Sequence, residues 1–101
     1  MRIAEIVGTL TLNRSHPSFA GARLRLAIPL TLDELRSNSP ARGEALVVYD
    51  ELGAGLGSRI ALSESRDAAA PFYPEMKPVD AYNAAILDHV SIDKRYARRN
   101  E

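Results

Sequence analysis

Gly53, Gly55 and Gly57 alternate through the stretch DELGAGLGSRIALSES, which runs from Asp50 to Ser65. Glycines this close together can bring several backbone N–H groups onto one phosphate, usually at a helix N-terminus. The Walker form of such a loop needs Lys and then Ser or Thr after its last glycine. Here Ser58 and Arg59 follow Gly57, and Ile60, Ala61 and Leu62 continue as a strand-like run. The spacing G-x-G-x-G also departs from the dinucleotide fingerprint, which opens a helix. The reading that remains is mechanical. Glycine permits a positive φ or a close approach between two backbones, including that of a neighbouring subunit.

Other chemistry is sparse. His16 sits beside Pro17 in a loop, and His89 alternates with apolar neighbours. Two histidines and a carboxylate can hold zinc, but no local spacing assembles them, and no metal or cofactor is expected. Asp50, Asp80 and Asp88 offer acid–base pairs. Aspartates at strand ends more often accept from backbone N–H groups in turns. Asp88 falls among Ile86, Val90 and Ile92 on one expected strand face, where burial would demand an arginine or backbone partner. No G-x-S-x-G elbow marks a serine hydrolase. Cysteine is absent, which excludes disulfides and a thiolate nucleophile.

The 101 residues suffice for one small domain. A domain of this size buries little, so burial against copies of itself would help it. Thirteen basic residues balance thirteen acidic ones, so the whole molecule carries no electrostatic footprint for nucleic acid. Lys94, Arg95, Arg98 and Arg99 around Tyr96 make a local basic tail, read as a solvated end. No stretch approaches the roughly 20 apolar residues that span a bilayer. The chain reads as soluble and intracellular, with no membrane partner.

The elements that must position these residues are short strands. Ile3 to Leu12 is one, with Gly8 marking a bend or bulge. In RLRLAIPL, Leu24, Leu26, Ile28 and Leu30 share one face and Arg23 and Arg25 the other, which predicts a strand with the leucines inward. Thr31 and Glu34 have capping-box spacing for a helical turn. EALVVYDE and SRIALSES read as the third and fourth strands. Arg66 to Ala70 reads as a second helical turn. In VDAYNAAILDHVSI, the first half reads as a turn of helix and the second half as a strand. The fold class is therefore all-β: a small, five-stranded, partly open OB-like barrel with one or two short helical turns. An OB-like barrel raises oligonucleotide binding as the alternative function, although four Tyr and two Phe supply few stacking platforms.

The chain also resembles the EutN/CcmL family of bacterial microcompartment vertex proteins. Asp50 ahead of Gly53, Ala54, Gly55 and Gly57 is similar to the family's glycine motif. Pro78, Val79, Asp80 and Ala81 match its next segment, and Ile86, Asp88 and Val90 its last. Gly8, Thr9, Arg14, Pro17, Gly21, Leu24 and Leu26 extend the likeness toward the N-terminus. It covers Met1 to about Ile92 in order and spacing. Ser58 stands where the family often has Glu, and the segment from Thr31 to Gly43 is longer than usual.

The resemblance implies a non-enzymatic shell component, with residues 1–92 an OB-like domain and 93–101 a charged tail. It implies a cyclic homopentamer that meets hexameric or pseudohexameric shell proteins in the cytoplasm. Asp50, Gly53, Ala54, Gly55, Gly57, Pro78, Asp80 and Asp88 would then serve turns or subunit packing rather than catalysis.

Overall fold

Alternation of apolar and polar residues with β-branched side chains builds five strands. In the computed structural model, residues 1–11, 23–64 and 81–96 are described. The elements are β1 (Arg2–Leu10), β2 (Leu24–Pro29), α1 (Leu32–Ser37), β3 (Leu46–Tyr49), β4 (Arg59–Glu64) and β5 (Ala81–Leu87). They close into a barrel in the order β1-β2-β3-β5-β4. Every pairing is antiparallel except β3 with β5, which run parallel. The barrel is thus closed, not partly open. Closure removes the free edges that an open sheet would present.

Gly8 lies where β1 bends. The register with β2 shifts between Ile6 and Gly8, leaving Val7 as the extra residue. A Cβ at Gly8 would sit 3.3 Å from Leu26 Cδ1, so glycine there also lets Leu26 lie against β1. A second register shift, between Ala61 and Leu62, leaves Ala84 unpaired opposite β4.

The inward face of β2 is not the leucine face. Ala27 is fully buried in the core cluster with Ala4, Ile6, Val48, Ala54, Ile60, Leu62 and Ala81. Alternation puts Arg25 on the side of Ala27, and Leu24, Leu26 and Ile28 on the outer side. Leu26 and Ile28 remain half-buried there, while Leu24 is covered. Ile6, Ile60, Leu62 and Val48 from the other strands fill the interior, and β2 contributes the small Ala27 beside them.

The last strand also shifts. The segment from Ala81 is strand rather than helical turn, because it pairs with β4 from Glu64↔Ala81 through Arg59↔Leu87. It ends at Leu87, two residues into the stretch expected to be strand. Asp88 therefore lies beyond β5, exposed, with no burial to compensate.

Helix α1 forms where its cap was legible. The Thr31 side chain accepts from Glu34 N at 3.1 Å, and Glu34 Oε1 accepts from Thr31 N at 2.9 Å. Asn38 ends the helix in the left-handed region, at φ 53°. No residue of α1 is buried. The proposed turn at Arg66 to Ala70 lies outside the described residues. Among the described residues no helix is long and apolar enough to cross a membrane.

Candidate functional site

The connection from β3 to β4 carries the glycine motif, and one buried side chain organises it. Asp50 is 1% exposed. Its Oδ1 accepts from Leu52 N at 3.0 Å, and its Oδ2 accepts from Ala54 N at 2.8 Å. A carboxylate suits this place because it offers two oxygens and no competing donor. Asn83, on β5 and fully buried, donates Nδ2 to Asp50 Oδ1 at 2.9 Å. Arg25, on β2, donates Nε to the Ala54 carbonyl at 3.0 Å, and that nitrogen lies 3.5 Å from Asp50 Oδ2. A buried carboxylate left without such partners would be costly.

The three glycines divide by conformation. Gly53 and Gly57 have φ of +80° and +81°, a region that L side chains enter only with strain. Gly55 has no positive φ, and a Cβ added there would meet nothing within 4 Å. The protomer needs glycine at the first and third positions, not at the second. The far end of the loop ties back to the bulge of β1. Gly57 N donates to Ile6 O at 2.8 Å, and Ile6 N donates to Ser58 O at 2.9 Å. Leu56 stands out from this scaffold at 73% exposed, with Leu52 at 49%.

The backbone N–H groups of Leu52, Ala54, Gly57 and Ser58 are taken within the chain and are not available to a phosphate. Ala54 is buried in the core, so the motif's alanine fastens the loop to the barrel. Asp88 is far from this arrangement in the chain and takes no part in the bonds around Asp50. Pro78 and Asp80 lie outside the described residues. Among the described residues no cluster of three or more metal-ligating side chains occurs.

Sequence reasoning missed Arg25 and Asn83. Asp50 alone held the signal for them, since a buried carboxylate requires donors. Nothing local shows that β2 and β5 supply them. Beside the site, Tyr82 stacks on Tyr49 with centroids 6.5 Å apart and donates its hydroxyl to Glu51 at 2.7 Å. That bond to the carboxylate pushes the Tyr82 phenol up to about 12.

Comparison with known proteins matches this chain to shell proteins. The CcmL carboxysome shell vertex protein of Gloeobacter violaceus is 30% identical over 103 residues, spanning 100% of this chain and 98% of that one. The PduN microcompartment shell vertex protein of Salmonella typhimurium is 29% identical, covering 90% of this chain and 99% of its own length. Among solved structures, the GrpN pentameric microcompartment shell protein of Rhodospirillum rubrum superposes with a TM-score of 0.76 at 25% identity. That match covers 92% of this chain and all of that one. The CcmL structure from a Nostoc species gives 0.76 at 27% identity, over 89% and 92% of the two chains. The family model described as ethanolamine utilisation protein EutN/carboxysome matches residues 1–88. This chain belongs to the EutN/CcmL family.

Proposed function

We propose that this chain is a vertex subunit of a bacterial microcompartment shell, located in the cytoplasm, and that five copies close into a ring with no catalytic role. The observation that carries this is the likeness over whole chains to shell vertex proteins, including one pentameric neighbour of the same barrel. The geometry is coherent with it. Six-fold tiles alone make a flat sheet, and five-fold units supply the curvature that closes a polyhedron. A cyclic ring uses two different patches on each copy, and its rotation closes after five.

The protomer is suited to association. Among the described residues, its fully buried large apolar side chains are few, namely Ile6, Ile60, Leu62 and Val48. Val47, Leu52, Leu56 and Ile86 meanwhile stay between 44% and 73% exposed. Covering such surface against a neighbour adds burial that a chain this short lacks alone. The Asp50 loop, with Gly53, Ala54, Gly55 and Gly57, supplies a rigid subunit contact. Pro78, Asp80 and Asp88 serve turns or packing nearer the C-terminus. Residues 1–92 form the barrel domain and 93–101 a charged tail. The shell neighbours are hexameric or pseudohexameric proteins.

Coexpression with hexamer-forming shell proteins, followed by electron microscopy, tests this. Closed polyhedra that contain the chain, and open or elongated assemblies without it, are the expected results. Polyhedra that close equally well in its absence, with no other vertex protein present, would refute it.

A further inference from the structure

Ala54 is held at three points. Its side chain lies in the core, its N–H is fixed by Asp50 Oδ2, and its carbonyl is fixed by Arg25 Nε. The next two residues are exposed. The Gly55 carbonyl accepts from Ser58 N at 3.1 Å, but a Cβ added at Gly55 would meet nothing within 4 Å among the described residues, and Leu56 is mostly exposed. A firmly held base thus carries a tight turn whose Leu56 side chain points away from the barrel.

Asn83 adds a second observation. Its Oδ1 is buried and has no hydrogen-bond partner among the described residues. A buried acceptor without a donor is a cost, and an apolar side chain would avoid it. What asparagine supplies in return is the Nδ2 donor to Asp50 Oδ1. The barrel interior therefore carries an unsatisfied atom for the sake of holding Asp50, and through Asp50 the loop.

We propose that Arg25 and Asn83 are positioning residues for assembly: they fix Asp50 and Ala54 so that the Gly55–Leu56 tip meets a second copy of this chain in one preset shape. This rests on the proposed assembly. A preset contact loses little conformational entropy on binding, which is where a loop otherwise weakens an interface. The donor count explains why Asp and Asn are not interchangeable here. Asp50 accepts from Leu52 N, Ala54 N and Asn83 Nδ2 on two oxygens. An asparagine at 50 has one oxygen, so its amide would face a backbone donor.

The test is the exchanged pair Asp50→Asn/Asn83→Asp, which keeps composition and net charge. Amide hydrogen exchange at Leu52 and Ala54 is read beside oligomeric state by native mass spectrometry. With its new amide turned to the carboxylate at 83, position 50 has no acceptor for Leu52 N, whose exchange should quicken at least about tenfold, while Ala54 N keeps the remaining oxygen. Barrel amides such as Ile60 should be unchanged. Association should weaken at least about tenfold. Leu56→Ser should weaken association while leaving those amides protected. Normal assembly with a deprotected Leu52 amide would overturn the proposal, as would an unchanged Leu52 amide in the exchanged pair.

Should the exchanged pair not fold, Arg25→Lys decides. It keeps the charge but replaces the guanidinium that donates to Ala54 O. Assembly at the unmodified strength would then overturn the proposal. A native chain that remains monomeric refutes the assembly reading instead.

Discussion

The loop from Asp50 to Gly57 and the segment from Thr31 to Ser39 both leave the barrel between strands, yet they are held in different ways. The loop depends on side chains remote in sequence. Arg25 and Asn83 lie 29 and 33 residues from the groups they bond, and the bonds sit in or at the barrel interior. The helical segment depends mainly on neighbours, with an exposed tie to the barrel in which Arg59 Nη2 donates to Asn38 Oδ1 at 3.0 Å. Thr31 and Glu34 are three residues apart, Glu34 reaches only to Arg42 N at 2.9 Å, and all these bonds are exposed. Glu34 is accordingly held below the usual carboxylate range, first by the Thr31 backbone. The loop's shape is thus tied to folding of the barrel, whereas α1 can open while the barrel stays intact.

The largest effect expected from this contrast follows Asp50→Ala. Removing the carboxylate strands two backbone donors and the Asn83 amide, and leaves Arg25 without its counter-charge. Global stability should fall by about 3 kcal/mol, measured by urea unfolding of the dissociated chain. A loss no larger than that of a surface substitution would break the claim that the loop is coupled to the core.

The glycines sharpen it next. Gly57→Ala should cost about 1 kcal/mol of protomer stability, because φ of +81° strains any side chain. Gly55→Val should leave the urea midpoint of the dissociated chain unchanged yet weaken assembly. Equal losses at 55 and 57 would mean that the middle glycine also serves the protomer.

Thr31→Ala is the matching cut in the other region. It should destabilise α1 locally by about 1 kcal/mol, seen as faster exchange at Leu35 N, which donates to Thr31 O. Barrel amides and assembly should not change. A global loss of stability would show that the exposed tie couples α1 to the barrel after all.

The smallest effect lies at high pH. The Tyr82 hydroxyl donates to Glu51, so its phenol is raised from 10.0 to about 12. The bond's contribution is present below the ordinary tyrosine value and is lost as pH climbs through about 12, when the phenolate forms. Stability followed against pH should therefore fall over this window, and Tyr82→Phe should remove that component. A native curve identical to that of Tyr82→Phe would contradict the assigned bond.

The same contrast sets what was legible in the sequence. Local devices could be read directly. Thr31 and Glu34 are three residues apart, and Gly8 interrupts a β-branched run, so the cap and the bulge were both foreseeable. Five strands also followed from patterning. Long-range devices could not be read. The parallel seam, with Tyr49 opposite Tyr82, depends on chain closure rather than on neighbours. Alternation in RLRLAIPL points the leucines inward, whereas the barrel buries Ala27. The strand after Asp80 was placed too late, because Ile86, Val90 and Ile92 alternate more plainly than the Ala81–Leu87 run that β4 pairs. For the same reason the glycine motif announced a turn, while Arg25 and Asn83, which hold it, gave no local sign.

The central claim is a ring of five, and native mass spectrometry of the purified full chain tests it most directly. The account predicts a dominant species of five times the 11.1 kDa chain, at about 56 kDa. A single 11.1 kDa species at every concentration, or a dimer, would contradict it.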